Sequence, residues 1–410
     1  MKKCQAMLQP RPFVLLCLYL WPRPGHAGWR RQRRVWRAKI RAGFSPGSLA
    51  LNPIRGLRWF FFSLWRFAFL MVQHKGKAVT QRYGVTRWRQ WTDLIRFNLL
   101  FHLPLGAYYR YRLFLPENRR KIHDRLYCNA LPHVHDLSNQ GNDRLEPTKQ
   151  WLADKLAFAE TLTGAGFPSV QTLAVLKDSS QIQGYFQGQT VFVKPQIGSH
   201  SHGAFNLIYH RADDSYRAIP INGDPVTEPA ALDRFLREHT RRPMLVQKRL
   251  TDHPDVAALS GVDPITTLRL VTGRFNDGTI QLLYGQLEIP RAQRAANGQQ
   301  FYRIYPLDPS GFEVSDYWRQ TYADHLEYDA DLTVPSTVRA MADQARDLCM
   351  TCHLNHIPIR AVAFDLGLTP HGPIIIEANY NWDIETLYRI SDLDTHTPAT
   401  QWLKELYDGD

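Results

Sequence analysis

Residues 358–383, PIRAVAFDLGLTPHGPIIIEANYNWD, contain two apolar stretches joined by a short polar segment. The stretches run from Ala361 to Leu368 and from Pro373 to Ala378, with Thr-Pro-His-Gly between them at 369–372. Proline at the first central position of a turn and glycine near its end favour a reversal of the chain. The pattern therefore predicts a β-hairpin.

The two strands of this hairpin carry acidic residues in apolar surroundings. Asp365 lies on the first strand and Glu377 on the second, and Asn379 follows Glu377 by two residues, so both point to one face. Strand pairing can bring Asp365 into the same patch, and such oxygen donors suit Mg²⁺ or Mn²⁺. The alternative is a solvated sheet face, but a carboxylate that follows three isoleucines is rarely buried without a partner.

Charge divides the chain into two parts. The 410 residues have a formal net charge of +12 and 44% hydrophobic residues, which allows two or three domains with a substantial core. Residues 1–92 hold 19 Lys and Arg and no acidic residue, whereas residues 93–410 hold 31 basic and 38 acidic residues, a net charge of −7. The sequence predicts a strongly basic segment attached to a mildly acidic globular part.

The basic segment has three interpretations. Its residues 57–72, LRWFFFSLWRFAFLMV, form an apolar run in which Arg58 and Arg66 fall on a common side of a helix. Seven of the eleven tryptophans lie within residues 1–92, a combination typical of a helix in the interface of an anionic membrane. The same residues can form an ordinary helical core, or can bind single-stranded nucleic acid by stacking and phosphate contact. No zinc-finger or RNP motif supports nucleic acid, and no run reaches the ~20 apolar residues that span a bilayer.

Targeting and redox signals favour a cytoplasmic protein. The apolar run at 13–21 follows two lysines, as in a signal peptide, but it is only nine residues long and arginine and proline flank it. The five cysteines form no disulfide framework. Residues 349–353 have the C-x-x-C-H spacing of haem attachment, but Cys352 falls on the apolar stripe of a helix predicted at 336–353. This favours buried structural cysteines.

Helix and strand patterns alternate beyond the basic segment and predict an α/β fold. We expect a polar linker in which His133 and His135 are solvated, and a helix at 148–164. Lys194 ends the buried strand of VFVKP before a small-residue loop that can hold phosphates. Arg269 lies inside the strand TTLRLVT and is expected to meet an anion. Further strands are predicted at 171–176, 204–208, 244–250 and 280–289.

Together, these patterns resemble the ATP-grasp ligases. The strand lysine, the small-residue loop, the interior arginine and Asp…Glu-x-Asn on a terminal hairpin occur in the order seen in D-alanine–D-alanine ligase and its relatives. The resemblance covers about residues 152–381 and is most specific for the sugar-transfer-associated, α-L-glutamate ligase-related proteins. It implies an α/β (α+β) ATP-grasp fold of two subdomains with ATP between them. The expected division is a basic, mostly helical region at 1–125, a linker at 126–147 and an ATP-grasp domain at 148–410.

The resemblance also implies phosphate-binding residues. Lys155, in an Asp-Lys-Leu similar to that of the family, would meet the ATP phosphates from one side. Lys194 would contact the α- and β-phosphates and take part in catalysis. The loop residues Gly198, Ser199 and Gly203 would close over the γ-phosphate.

The implied adenosine site lies at the end of the strand predicted for 244–250. Gln247 and the backbone of Lys248 would surround the adenine, with the side chain of Leu250 against the base. Asp255 or His253 would reach the ribose. Gln247 departs from the family pattern, because many relatives carry Glu there.

The implied reaction joins a carboxylate to an amine through an acyl phosphate. Arg269 would neutralise the transferred phosphoryl group, and Asp365, Glu377 and Asn379 would hold one or two Mg²⁺ or Mn²⁺ ions. The family suggests a saccharide or amino-acid substrate in cell-surface polysaccharide synthesis, at the cytoplasmic face of the membrane. Residues 380–382, Tyr-Asn-Trp, replace the Pro-Gly of peptide-forming relatives, so the substrates stay open. A non-catalytic nucleotide-binding membrane-surface protein and a nucleic-acid-binding protein are the alternatives.

Overall fold

The structure is a computed structural model of the whole chain and divides into two compact units. One unit contains the described residues between 57 and 140 together with 397–408, and the other contains those between 141 and 382. The described residues are 57–101, 105–120, 131–177, 188–198, 203–221, 223–262, 265–294, 300–314, 320–321, 332–382 and 397–408.

The described part of the first unit is helical. Helix α1 (Leu64–Tyr83) buries one residue per turn. These buried residues pack with α2 (Arg87–Phe101) and α3 (Leu105–Arg110) into an aromatic-rich core. The amide of Gln90 ties α2 to α1 by donating to the carbonyl of Gly76 at 3.1 Å. No described helix is long and apolar enough to cross a membrane. A π-helical turn, Trp59–Ser63, precedes α1 (Leu64–Tyr83), α2 (Arg87–Phe101), α3 (Leu105–Arg110), α4 (Pro116–Arg120) and α5 (Leu131–Ser138), and a last helix spans Pro398–Asp408.

Helix α5 corrects a local prediction, because it forms where a polar linker is expected. Val134 is 1% exposed and His135 is 2% exposed. The apolar side chain of Val134 packs in the interior, and the adjacent His135 is buried with it. Asn139 then closes the helix end by donating to the carbonyl of His135 at 2.8 Å. The prediction that His135 is solvated is therefore wrong, and the side chain of His133 lies outside the described ones.

The helix predicted at 148–164 consists of two helices, α6 (Leu145–Ala153) and α7 (Lys155–Gly164). They separate at Asp154, whose backbone is extended, with φ −86° and ψ 96°. Its carboxylate accepts hydrogen bonds from the backbone N–H groups of Leu156 at 3.1 Å and Ala157 at 3.2 Å, as an N-cap does. The apolar spacing continues across this break, which is why periodicity alone predicts one helix.

The second unit contains two antiparallel sheets. The first sheet has the order β1-β5-β2-β3-β4, with α8 (Pro229–His239) leading into β5. Its β2 lies in the middle and pairs with both β5 and β3. The strands are β1 (Thr172–Leu176), β2 (Val191–Pro195), β3 (Phe205–His210), β4 (Ser215–Pro220) and β5 (Met244–Lys248).

The second sheet has the order β11-β10-β6-β7-β8-β9. Its β10 and β11 are the predicted hairpin, with Thr369 opposite Gly372 at the turn. Helix α9 (Pro254–Ser260) contacts β7, and α10 (Ser336–His356) contacts β6, β7, β10 and β11. The strands are β6 (Thr267–Arg274), β7 (Ile280–Arg294), β8 (Gln300–Leu307), β9 (Gln320–Thr321), β10 (Ala361–Thr369) and β11 (Gly372–Asn379). Two sheets with flanking helices confirm the predicted α/β class with two sheet-bearing subdomains.

Helix α10 places the C-x-x-C-H segment inside the core. Cys349 and Cys352 are free, buried thiols, and burial raises the pKa of Cys352 to about 12. Both ring nitrogens of His353 have partners, with Nδ1 2.7 Å from Oγ1 of Thr272 and Nε2 2.9 Å from the carbonyl oxygen of Ile359. The structure thus confirms buried structural cysteines, and His353 has no ring nitrogen left for a haem iron.

Candidate active site

Three neighbouring strands of the second sheet place a cation between two carboxylates. Arg269 on β6 lies opposite Asp365 on β10 in the strand register. Its guanidinium donates to both carboxylate oxygens of Asp365, from Nε to Oδ1 at 2.6 Å and from Nη2 to Oδ2 at 2.9 Å. Its Nη1 lies 3.1 Å from Oε1 of Glu288 on β7. Arg269 therefore meets anions, as expected, and all three of its nitrogens are held.

The protonation states in this group favour charged side chains at neutral pH. Burial opposes the charge on Arg269, but Asp365 and Glu288 outweigh it and raise the pKa of the guanidinium. Burial raises the pKa of Asp365, although the guanidinium acts in the opposite direction. The two nitrogens of Arg269 on the two oxygens of Asp365 give the bidentate geometry of an ion pair.

The hairpin brings the three predicted metal-binding residues together. Glu377 on β11 lies opposite Asp365 on β10, where the register shifts at a bulge. The Nδ2 of Asn379 lies 3.2 Å from Oδ2 of Asp365 and 3.2 Å from Oε1 of Glu377. One oxygen of each carboxylate therefore faces the same point, where the amide group now lies.

These residues fit a divalent cation by their chemistry. Two carboxylates and an amide are oxygen donors of the kind that Mg²⁺ and Mn²⁺ prefer. Turning the amide of Asn379 about its last bond exchanges its nitrogen for its oxygen at nearly the same position. In the described part of the chain, no three His, Cys, Asp or Glu side chains converge as a metal site. A metal here would depend on Asp365, Glu377 and the amide of Asn379.

Lys194 on the first sheet and Lys155 on α7 complete the cluster. Lys194 is 5% exposed and lies at the middle of that sheet, on β2. Burial lowers its pKa to about 8, although Glu377 and Asp365 favour its charged form. Burial opposes the charge of Glu377 as well, but Lys194 and Lys155 outweigh it and lower the pKa of that carboxyl group. The two lysines and the two carboxylates thus interact as one group.

The break between α6 and α7 positions Lys155. Gln196, directly after β2, donates from Nε2 to both carboxylate oxygens of Asp154, at 2.9 and 3.0 Å. The backbone N–H of Lys155 donates to the carbonyl of Gln196 at 3.1 Å, and its Nζ donates to the carbonyl of Gly198 at 2.5 Å. These bonds hold Lys155 at the first turn of α7, beside the start of the loop that follows Lys194.

The loop itself is described only at its two ends. Gly198 is exposed, Gly203 has φ +80°, and Ser199 lies outside the described residues. A Cβ on Gly203 would lie 2.6 Å from Nη2 of Arg242. The end of the Arg242 side chain can move, so it is the backbone conformation that favours glycine at 203. The phosphate-binding role of the loop stays a prediction.

The predicted adenine residues lie at the end of β5. Gln247 is buried and donates from Nε2 to Oγ1 of Thr172 at 3.3 Å. The backbone N–H of Lys248 donates to the carbonyl of Gln171 at 3.0 Å, while its side chain is exposed. Leu250 reaches the second sheet, where its Cδ1 would be 3.2 Å from a Cβ on Gly367. Leu250 therefore packs against β10 of the second sheet, and the adenine-binding role of these residues stays a prediction.

The predicted ribose residues lie at the start of α9. The Nδ1 of His253 accepts a hydrogen bond from the backbone N–H of Asp255 at 3.3 Å, which caps the helix. The carboxylate of Asp255 accepts a hydrogen bond from the hydroxyl of Thr337 in α10. The structure does not bring either side chain into contact with the cluster of charges, and their role stays a prediction.

Three site residues escape sequence reasoning. Glu288 and Gln286 lie on the same face of β7, and Nε2 of Gln286 donates to Oε1 of Glu288 at 2.6 Å. In the sequence, these two polar residues alternate with Leu287 and Ile289. This period of two residues could have predicted a polar face on the strand. Gln196 carries no such signal, because it follows the end of β2.

The sequence matches no protein-family model and no curated protein. Among solved structures, the chain is similar to N5-carboxyaminoimidazole synthetase from Staphylococcus aureus complexed with ADP, at 13% identity and a TM-score of 0.36 over 63% of this chain and 51% of that one. It is also similar to the ATP-grasp ligase PsnB complexed with minimal precursor, at 13% identity and a TM-score of 0.34 over 64% of this chain and 62% of that one. The values for D-alanyl-alanine synthetase A from Vibrio cholerae are 12% identity and a TM-score of 0.36, over 64% of this chain and 66% of that one. The chain thus spans about half to two thirds of the length of these structures.

Proposed function

We propose that this chain is an ATP- and Mg²⁺-dependent carboxylate–amine ligase of the ATP-grasp type. One observation carries the proposal. It is a cluster of three cations and three oxygen-bearing side chains, contributed by both sheets and by α7 of the second unit. The cations would bind phosphate groups, and the oxygen atoms would be ligands of a divalent metal. The cluster consists of Lys155, Lys194, Arg269, Asp365, Glu377 and Asn379.

The lysines supply the charge that holds the ATP phosphates. Lys194 is buried, and a pKa of about 8 leaves it mostly protonated at pH 7. A cation that is shielded from water attracts an anion more strongly than an exposed one. Lys155 adds a second charge, and its bond to the carbonyl of Gly198 links it to the predicted phosphate loop.

The metal-binding group in this proposal consists of Asp365, Glu377 and Asn379. These residues would hold a Mg²⁺ or Mn²⁺ ion, whose positive charge would offset the negative charge that develops during phosphoryl transfer. Asp365 also orients the guanidinium of Arg269 through two hydrogen bonds. A fixed cation next to the metal group would lower the cost of negative charge on the transferred phosphoryl group.

The reaction that we propose has two steps. A carboxylate oxygen of the acid substrate attacks the γ-phosphorus of ATP, which gives an acyl phosphate and ADP. The amine substrate then attacks the acyl carbon, so that an amide forms and phosphate leaves with the former acyl C–O electron pair, while the amine loses a proton. The protein provides no covalent nucleophile in either step, and positioning and charge carry the catalysis.

The finer parts of the proposal follow from the sequence resemblance. We place the catalytic domain in the second unit, between residues 141 and 382, and the protein in the cytoplasm. We assign the substrates to saccharide or amino-acid acids and amines of cell-surface polysaccharide synthesis, as in the sugar-transfer-associated ATP-grasp proteins. Residues 380–382, which replace the Pro-Gly of peptide-forming relatives, support a substrate other than a plain dipeptide.

The nucleotide site can be tested by thermal unfolding of the full chain with and without Mg·ATP. A ligand present at ~100 times its Kd raises the free energy of unfolding by about 2.7 kcal/mol. In a domain of this size, that raises Tm by roughly 5–10 °C. We expect this shift for the wild type and for Lys194→Arg, which keeps the charge. Lys194→Ala should lose the shift, whereas Arg237→Ala, which removes an exposed cation paired with Asp233, should retain it.

Turnover decides between a ligase and a protein that only binds nucleotide. Release of ADP, measured with panels of acids and amines, should require both substrates and Mg²⁺, and Asp365→Asn should abolish it. A Tm shift without ADP release from any pair would leave nucleotide binding alone. Absence of a Tm shift at millimolar ATP would contradict the proposal.

A further inference from the structure

A group of apolar side chains lies exposed on the helical unit and has no part in the ligase site. Phe62 is 73% exposed and Trp88 is 71% exposed, which is unusual for such large side chains in a water-facing helix. We call this group the aromatic patch. It consists of Phe61, Phe62, Trp65, Phe69, Leu70 and Trp88.

Ring contacts connect three residues of the patch. The ring of Phe60 lies 5.0 Å from that of Phe61 and 6.2 Å from that of Trp65. Trp65 in α1 lies 5.6 Å from Trp91 in α2, and Trp91 stacks on Trp88 at 5.0 Å. Phe61, Trp65 and Trp88 are therefore linked through Phe60 and Trp91, from the π-helical turn across α1 to α2.

The core of the unit does not explain the patch. Helix α1 already buries Leu64, Ala68, Val72 and Val79 on its inner face. Its outer face also carries apolar side chains, because Phe69 is 54% exposed and Leu70 is 40% exposed. Helix α1 is therefore apolar on two faces. A helix with a second apolar face needs a second apolar environment.

The charges around the patch have one sign. Residues 57–92 contain seven Lys and Arg and no acidic residue. Arg58 and Arg66 are exposed and lie four residues before and after Phe62, on the same side of the helix. The next acidic residue, Asp93, is buried, and Arg119 and Tyr108 both donate to it. The surface thus combines exposed apolar rings with an excess of positive charge.

We propose that the aromatic patch docks on an anionic lipid bilayer, with α1 lying in the plane of the interface. Phenylalanine and leucine side chains would enter the acyl region, Trp65 and Trp88 would lie at the headgroups, and Arg58 and Arg66 would pair with lipid phosphates. The aliphatic side chain of Leu70 favours a fluid apolar partner over nucleic acid, whose bases stack on aromatic rings. The proposal does not depend on the ligase activity.

The test is co-sedimentation of the full chain with sucrose-loaded vesicles, in the absence of ATP. We expect binding to phosphatidylcholine vesicles that contain phosphatidylserine, and weaker binding to phosphatidylcholine alone. Phe62→Ser and Trp88→Ser should each reduce affinity about tenfold, and Arg58→Glu about fivefold or more. Leu354→Ser removes an exposed apolar side chain, 55% exposed, from the other unit and should change nothing.

A second readout separates insertion from simple adsorption. Brominated lipids quench tryptophans at the depth of the bromine, so they should quench the wild type more than Trp88→Phe. Unchanged Tm values would show that the variants fold, as expected for exposed positions. Absence of vesicle binding would overturn the proposal. Equal vesicle binding by the wild type and the patch variants would also overturn it. The occupant of the patch would then be identified by which interaction Phe62→Ser disrupts: salt-sensitive RNA binding, self-association, or contact with residues 1–56.

Discussion

Glu288 shows how a single side chain can complete a site that the other residues define. Asp365 holds two nitrogens of Arg269, and Glu288 holds the third at 3.1 Å. Gln286 in turn fixes the carboxylate of Glu288 by a hydrogen bond of 2.6 Å. The guanidinium is therefore held in one orientation, so it would not have to reorient during transfer of a phosphoryl group.

We predict that Glu288→Ala lowers turnover by about 10- to 100-fold, because Arg269 loses one of its two anchors. Nucleotide binding should persist, since Lys155 and Lys194 are untouched. The measurement is kcat and KM for ATP together with the Mg·ATP-dependent shift in Tm.

Glu288→Gln keeps the shape and one hydrogen-bond acceptor, so it should recover part of the lost activity. Glu313→Ala is the matched control, because it removes an exposed carboxylate that pairs with Arg339 at 2.9 Å. Unchanged kcat in Glu288→Ala would show that Asp365 alone positions Arg269.

Among the elements, the junction of α6 and α7 has the clearest link to the site. Asp154 caps α7 and accepts two hydrogen bonds from Gln196 at the end of β2. The helix start is thereby tied to the first sheet, and Lys155 comes next in the chain. The cap of α7 and the position of Lys155 therefore depend on the same carboxylate.

We predict that Asp154→Ala lowers the free energy of unfolding by about 1–3 kcal/mol, because the cap and the bonds to Gln196 are both lost. The affinity for Mg·ATP should fall in parallel, since Lys155 is no longer held. Urea unfolding and nucleotide titration measure the two effects.

The matched variant is Asp154→Asn, which keeps an oxygen for the cap. It should lose much less stability and affinity than the alanine variant. Equal losses in both variants would mean that the negative charge, and not the cap, is what matters at this position.

At the scale of the whole molecule, His353 connects α10 to the second sheet. Burial lowers its pKa to about 4, with Arg274 acting in the same direction, although a hydrogen bond to the backbone of Ile359 opposes the shift. The unfolded chain takes up this proton near pH 6.5, whereas the folded chain does so only near pH 4. Stability due to neutral His353 is therefore lost as the pH falls between these values.

We predict that the wild type loses about 3 kcal/mol through this residue between pH 6.5 and pH 4, and that His353→Gln does not. Asp252, whose pKa burial raises to about 6, acts in the opposite direction in both proteins and cancels from the difference. The measurement is the difference in free energy of unfolding across that range. His371→Gln, at an exposed turn, should behave as the wild type, and a pH-independent difference for His353→Gln would contradict the assignment.

Much of the fold follows from local patterns in the sequence. The terminal hairpin, the strand that carries Arg269, its partner β7 and helix α10 are all evident from alternation, turn residues and helical spacing. These signals are local because a strand or helix repeats its pattern every two to four residues. Asp365, Glu377 and Asn379 could be grouped for the same reason, since they lie within 15 residues on paired strands.

Tertiary structure alone decides the rest of the site. Arg269 and Asp365 are 96 residues apart, and their pairing follows from the order of β6, β10 and β7, which no local pattern specifies. The break at Asp154 likewise depends on Gln196, 42 residues away. Period and turn chemistry are properties of neighbouring residues and can be derived from the sequence. Which charges meet depends on how strands are ordered and helices packed, and only the folded chain determines that order.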